Sequence, residues 1–351
     1  FISAYTTNDD QGNAISDIKH IQYDARSYYG IRLANQKTFG QAFIPSYNFQ
    51  NAKSIVSVNA DFIGSWLLPS KFSCDYSKTR KPENGWMSKH FQFESNFSLS
   101  GANADYRAQI KPSQEGAFVS SLLSMLEGGN PTHDFSQDVL TKLSNAVVSL
   151  NQNKGASLVV SSSNDSHVQA MVNKINFKLG NYGSTINHTQ PLNLFDGNDT
   201  EVEQLVNDIS ANKIDALIVY NCNPVYSLPN GDKFGEALTN SKMLKVSFAD
   251  VMDETAACCQ YVCPDHNYLE SWCDFEPIPG HVSLQQPIIR PLYNTRQAQE
   301  SFLVWAKRAN RGVNESKVFY NFIKENWAAN NIGNQSDYIT FDEFWNWTVH
   351  N

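Results

Sequence analysis

Short apolar runs and longer amphipathic stretches alternate along the chain, the pattern of βαβ units that feed a parallel sheet. Residues 54–58 (Ser-Ile-Val-Ser-Val) read as a buried strand that stops at Asn59-Ala60-Asp61. Residues 90–94 alternate as a strand does, and residues 157–161, 216–220 and 244–248 are further β-rich runs. Between them, Val139, Leu143, Ala146, Val147 and Leu150 give a helical stripe. So do Val168, Met171, Val172, Ile175 and Leu179, and Val202, Leu205, Val206 and Ile209, the last with Asp199 or Thr200 as N-cap. Residues 114–127 predict a helix closed by Gly128-Gly129, and Phe234, Ala237 and Leu238 belong to a short one. Near the start, residues 20–23 read as a short strand and residues 25–35 as a helix, whereas residues 70–86 read as a loop.

These elements predict an α/β protein of two Rossmann-like lobes with mainly parallel sheets. The expected lobes are residues 1–130 and 131–296, divided at Asn130-Pro131-Thr132, with a helical, aromatic extension over residues 297–351. The lobes share one device, a buried strand that ends in an Asn-bearing turn, at Asn59 and again at Asn221-Cys222-Asn223-Pro224. Residues 267–281 pack aromatics, carboxylates, a thiol, a His and prolines with no clean period, the kind of irregular segment on which α/β folds build sites.

Composition narrows the classes. The 351 residues are 41% hydrophobic, enough for a sizeable core, and 27 Lys and Arg against 35 Asp and Glu leave a net charge of -8. With no basic block or basic–aromatic ladder, nucleic acid is excluded as an expected partner. No apolar run approaches the roughly 20 residues needed to cross a bilayer, and no signal peptide can be read. Residues 1–5 resemble the tail of a helix and the aromatic C-terminus lacks a polar tail, so a piece of a longer protein is expected. Sequons such as Asn187-His188-Thr189 and Asn346-Trp347-Thr348 are expected to arise by chance in an Asn-rich chain.

Candidate chemistry is sparse. Cys258, Cys259 and Cys263, with Cys273 ten residues on, miss the C-x2-C spacing of zinc and iron–sulfur sites, so they read as small buried hydrophobes. A disulfide between Cys258 and Cys263, or between Cys263 and Cys273, stays open. There is no P-loop, G-x-G-x-x-G, H-E-x-x-H or G-x-S-x-G. His90, His266 and His281 lie near polar clusters, and Glu94, Asp105, Asp250, Glu254, Glu270 and Asp274 lie near strand ends, where capping and turn formation account for them. No catalytic set and no metal site is read.

Three blocks in order resemble the molybdopterin oxidoreductase superfamily. They are residues 93–105 (Phe-Glu-Ser-Asn through Ala-Asn-Ala-Asp) leading to Ile110-Lys111-Pro112; residues 219–224 (Val-Tyr-Asn-Cys-Asn-Pro); and residues 253–285 with Glu270-Ser271-Trp272 and Gly280. Residues 58–66, 87–105, 266–272 and 286–296 look more specifically like the molybdopterin-like domain of the large iron–sulfur subunit of bacterial alternative complex III, a quinol-oxidising respiratory complex. That resemblance implies a structural domain without molybdenum cofactor, with Asn59, Asp61, Asn223, Glu270 and Trp272 at vestigial pterin-loop positions. Ser113-Gln114-Glu115 stand where the wider family has Gly-Thr-Asp, and Trp272 is expected to be buried and to fill the pocket. Iron–sulfur clusters are implied in a further C-terminal domain. The implied partners are an integral quinol-binding subunit and cytochrome c subunits, at the periplasmic face of the bacterial inner membrane. Two rivals remain: an active bis-pterin molybdenum reductase of the polysulfide or tetrathionate type, with Cys74 as the early thiol, and a nucleotide-binding α/β module.

Overall fold

A computed structural model of the chain describes residues 2, 6–8, 14–16, 18–306 and 318–350. Apart from Ile2, the expected helix tail at residues 1–5 lies outside them, as do residues 307–317 of the expected helical extension. The chain divides into two compact units: a first unit of Arg26–Gly197 with Pro277–Pro279, and a second of Phe1–Ala25, Asn198–Glu276 and Gly280–Asn351.

In the second unit, β1 (Thr6–Asn8) and β2 (Ala14–Ser16) form an antiparallel pair. Residues 20–23 pair with no strand among the described residues, so the short strand expected there does not form. In the first unit come α1 (Tyr29–Phe39), β3 (Ile44–Tyr47), β4 (Ser54–Val58), α2 (Pro69–Lys78), β5 (Lys89–Glu94), a single turn α3 (Leu99–Ala102) and β6 (Tyr106–Gln109). Then follow α4 (Glu115–Leu126), α5 (Gln137–Gln152), β7 (Ser157–Ser161), α6 (Ser166–Lys178) and β8 (Ile186–Leu192).

The expected loop over residues 70–86 is helical in its first half. Pro69 stands at the first position of α2, where its missing N–H costs nothing, and Phe72 and Tyr76, four residues apart, are buried on one face. The strand β8 gives no apolar pattern in sequence because its middle is polar and exposed, and β3 pairs with it antiparallel.

The four remaining strands form an all-parallel sheet in the order β6-β5-β4-β7. In chain order this is 3-2-1-4, so β4 and β7 are the neighbours between which the winding reverses. Val56 and Val58 of β4 and Phe91 and Phe93 of β5 face a core with α4, α5 and α6. Ile55 of β4 and Leu158 and Val160 of β7 face a second, aromatic core with Phe49, Phe62, Trp66 and Phe72. This pairing corrects the expected boundary at 130/131: β7 lies past that linker, yet its residues are in register with β4 from Ser54 to Val58.

The second unit adds α7 (Asp199–Ser210), β9 (Ala216–Val219), the single turn α8 (Pro224–Ser227), α9 (Gly231–Asn240) and β10 (Leu244–Ser247). It continues with β11 (Tyr261–Val262), β12 (Cys273–Ile278), β13 (His281–Gln285), α10 (Ala298–Trp305), α11 (Val318–Asn330) and α12 (Phe341–His350). Its sheet is parallel, β9-β10-β11. The side chain of Asn198, not Asp199 or Thr200, caps α7 by accepting from Glu201 N. The boundary expected at 296/297 is also corrected. Trp327 and Trp345, from α11 and α12, are buried in a cluster that includes Trp272, Val282 and Leu284, and the Trp327 indole donates to Asp274 Oδ2 at 2.9 Å.

The start of α1 depends on a glycine. Gly30 N donates to Asn164 Oδ1 at 2.7 Å in the loop after β7, and a Cβ on Gly30 would lie 2.2 Å from the Asn164 carbonyl oxygen. That contact is with backbone, which cannot swing aside. Gly30→Ala is therefore expected to destabilise the fold by about 2 kcal/mol, the usual cost of overpacking a tight contact, measured by urea unfolding; a variant as stable as wild type would mean that the loop after β7 yields freely.

Candidate functional site

In open α/β sheets, ligands bind beyond the carboxyl ends of the strands, where the winding reverses. Here that place is the edge after β4 and β7. The strand β4 is fully buried, and the chain leaves it at Asn59, whose φ of 54° is a left-handed conformation that Asn tolerates better than most residues. The Asn59 side chain is then spent on its neighbours: Oδ1 accepts from Ser95 N at 2.9 Å, and Nδ2 donates to Glu115 Oε2 at 3.3 Å. Glu115 Oε1 accepts from Ser161 Oγ at 2.9 Å, at the end of β7, and the carboxyl also takes the Ser163 N–H. Burial pushes the Glu115 carboxyl above its usual range, against the pull of these three donors. One carboxylate thus ties the ends of the two strands together.

Asp61 lies in the same turn. Its Oδ1 accepts from Ser100 N, Ser100 Oγ and Gly64 N at 2.9, 2.8 and 3.2 Å. Phe62 follows, fully buried and stacked on Phe49 with ring centroids 4.3 Å apart. Asn59 and Asp61 are therefore brought together, and the space past β4 is taken by a carboxylate and an aromatic ring. A pyrophosphate placed there would face the Glu115 carboxylate.

The segment Ser113-Gln114-Glu115 divides its work. The Gln114 side chain accepts from Lys111 N at 3.0 Å, while Glu115 turns to the sheet. Beside it, a cavity of about 660 Å³ opens between the Ser95–Asn96 loop, Gln109, Lys111 and Phe135. Periodicity gave no sign of it, because it is formed by loops distant in sequence. A second cleft, of about 530 Å³, lies at the opposite strand ends, lined by Arg80, Trp86, Met87, Lys89 and Tyr106.

The strand β5 carries a buried polar row toward the aromatic core. His90, Gln92 and Glu94 alternate along it and all three are buried. His90 Nε2 donates to Gln92 Oε1 at 3.1 Å, and Gln92 Nε2 donates to Glu94 Oε2 at 3.0 Å. Glu94 also accepts from Ser98 Oγ at 2.5 Å and Arg107 Nε at 2.6 Å. Gly101 packs closely beside it: a Cβ there would lie 1.9 Å from Glu94 Oε1, which Arg107 holds in place. At the other end, the Tyr76 hydroxyl is 3.2 Å from His90 Nδ1, and His90 N donates to Asp105 Oδ2 at 2.8 Å. Asp105 is held in a two-pronged pair with Arg80, at 2.8 Å for each contact. Burial alone would raise the Asp105 carboxyl, but Arg80 and the His90 N–H outweigh it and hold it below the usual range. Burial pushes the His90 imidazole down to about 4, with only partial opposition from Gln92, Asp105 and Glu94.

In the second unit, Asn221 repeats the left-handed turn at φ 52°. Asn223 Oδ1 accepts from Thr255 Oγ1 at 2.7 Å and its Nδ2 donates to Glu254 Oε2 at 2.7 Å. Elsewhere in that unit, Glu270 accepts from Asn267 N at 3.2 Å and Leu292 N at 3.1 Å, which pins the strap after β13. Trp272 is half-buried rather than mostly buried: it packs 4.7 Å from Tyr320 and 6.3 Å from Trp345, ring centroid to ring centroid. Residues 267–281 are not irregular throughout, since they form a capped turn and the β12–β13 hairpin, closed at Gly280 with φ 84°.

All six cysteines stand as free thiols, Cys74 exposed on α2 and the others half-buried. Burial raises the Cys222 and Cys273 thiols and, with Cys258 beside it, pushes Cys259 up to about 11. These are poor thiolates at neutral pH. Among the described residues, no three His, Cys, Asp or Glu side chains are grouped to hold a metal ion, and no helix is long and apolar enough to cross a membrane.

No protein-family model matches the chain. Over 92 residues, 25% of its length, it is 38% identical to the menaquinone reductase molybdopterin-binding-like subunit of Nitratidesulfovibrio vulgaris, and the match spans 13% of that subunit. Acetylene hydratase from Pelobacter acetylenicus is similar in fold, with a TM-score of 0.57 over 80% of this chain at 11% identity. This chain spans 50% of that one. A chain of the formyltransferase/hydrolase complex from Methylorubrum extorquens, in complex with methylofuran, gives a TM-score of 0.51 at 10% identity, over 85% of this chain and 83% of its own. The resemblance to molybdopterin-type proteins is thus borne out in sequence over a quarter of the chain, and the fold is shared with these solved structures over most of it.

Glu115→Ala leaves Asn59 Nδ2 and Ser161 Oγ without their acceptor, so a loss of about 1–3 kcal/mol is expected in chemical unfolding, with a smaller loss for Glu115→Gln. For His90, the unfolded imidazole takes its proton near its ordinary 6.5 and the folded one only near 4. The stability that neutral, buried His90 supplies is present above pH 6.5 and is lost as pH falls toward about 4, by about 3 kcal/mol in all. A His90→Gln variant should show a flatter stability profile across that window; an unchanged slope would assign the acid sensitivity elsewhere.

Proposed function

We propose that this chain is a molybdopterin-like subunit domain of a respiratory quinol oxidoreductase complex of the alternative complex III kind. Its role there is to scaffold electron carriers, and it holds no molybdenum cofactor of its own. The sequence match to a menaquinone reductase molybdopterin-binding-like subunit supports the respiratory part of the reading. The Asn59–Glu115–Ser161 tie at the reversal point carries the rest. A carboxylate occupies the place of an anionic ligand, and the loops that would grip that ligand bond to one another instead. Asn223, in the turn after β9, and Glu270, elsewhere in the second unit, are likewise engaged within the chain. In this reading the working parts are neighbours: an iron–sulfur domain, an integral quinol-binding subunit and cytochrome c subunits, with this domain on the periplasmic side of the membrane. The rival in which Cys74 ligates molybdenum gains no support from an exposed thiol on a surface helix.

The test is elemental and pterin analysis of the full-length protein purified with its complex. Molybdenum and pterin well below one per chain are expected, and one molybdenum per chain would sink the scaffold reading. The cavity of about 660 Å³ near Lys111 keeps the nucleotide-binding module as a second reading. A thermal-shift panel of nucleotides is expected to leave Tm unchanged, and a rise of a few degrees would favour that module.

A further inference from the structure

Charge is divided unequally between the two units. The first carries 15 Lys and Arg against 11 Asp and Glu, a net of +4; the second carries 12 against 24, a net of −12. Within the second unit, residues 246–276 and 280–289 hold seven carboxylates and no Lys or Arg. Because β9, β10 and β11 are parallel, the segments that follow them emerge along one edge. That edge brings Asp250, Asp253 and Glu254 after β10 beside Asp265 after β11. Glu254 is tied to Asn223 after β9 at 2.7 Å, and Asp250 adds to the burial that raises the Asp265 carboxyl. None of these four carboxylates is in an ion pair among the described residues. Between them stand two apolar side chains turned to solvent, Val251 at 63% exposure and Met252 at 71%.

We infer that this edge is a docking face for a protein partner whose surface is rich in lysine or arginine around an apolar centre. The acidic rim supplies steering and orientation, and Val251 and Met252 supply the apolar contact that a desolvated centre needs. Other occupants fit poorly. Phosphate-bearing surfaces, whether lipid headgroups or nucleic acid, would meet unpaired carboxylates, and a second copy would bring the same acidic edge against its like. The inference deepens the scaffold reading by giving one partner its chemistry, and it rests on that reading.

The full chain is titrated by fluorescence anisotropy with an amphipathic helical peptide of Lys and Leu, and with its Glu-for-Lys counterpart. The Lys peptide is expected to bind, about tenfold more weakly at 200 mM than at 20 mM salt, and the Glu peptide not at all. The double variant Asp250→Lys/Glu254→Lys should weaken binding about tenfold, and Met252→Ser, which carries the test if the double variant fails to fold, several-fold. Reversal of Asp232 and Glu236 on α9 should change it less than twofold. If that reversal weakens binding as much as the edge variant does, or if phosphatidylglycerol vesicles bind the chain, the docking face is overturned. Stoichiometric molybdenum would remove the scaffold reading without touching these titrations, so the two failures are distinguishable.

Discussion

A parallel strand that ends inside a protein leaves donors and acceptors at its turn, and each must find a partner before the surroundings can close. In a cofactor-binding sheet the ligand meets much of that demand. Here Glu115 meets much of it, accepting from Asn59 on one side of the reversal point and from Ser161 and Ser163 on the other. The rest of the edge follows from that tie. Asn59, held from one end, offers its carbonyl oxygen to the loop after β5, and Asp61 gathers α3 through Ser100. Phe62 can then fill the remaining space against Phe49.

Much of the fold was legible where burial is complete on both faces. The strands β4 and β7 are apolar enough to announce themselves, and α5 and α6 show their stripes because one side of each is packed. The two Asn turns were legible as well, since a left-handed residue after a strand restricts the choice of side chain. What stayed hidden was decided by partners distant in sequence. The middle of β8 is polar, the face of α2 rests on two aromatics, and β12 and β13 are half-exposed strands in a segment broken by Pro277 and Pro279. The linker at residues 130–132 is a surface turn, and nothing in it records that β7 will return to pair with β4.

The site was legible in position more than in purpose. Asn59, Asp61, Asn223 and Glu270 stand in loops at strand ends or turns, as their sequence context suggested, yet each is a bonding partner of its own chain. Trp272 packs against two aromatics of the C-terminal helices. The buried row His90–Gln92–Glu94 was visible as an alternating strand. That its polar side would face inward was not, because the covering elements α2 and α3 were not foreseen as helices.

The path of the chain has a consequence for its birth. Asn198 N bonds to Gln22 O at 3.2 Å, so the segment that enters the first unit and the one that leaves it run side by side. Nearly all of that unit is a single excursion of the chain, Arg26–Gly197, set into the sequence of its companion. On a ribosome it would be finished while most of the second unit was still unmade, and the opening segment would wait for Asn198 to arrive. Such an arrangement ties the order of synthesis to the order of folding: nearly all of the unit with the larger parallel sheet is made before the acidic one can be completed.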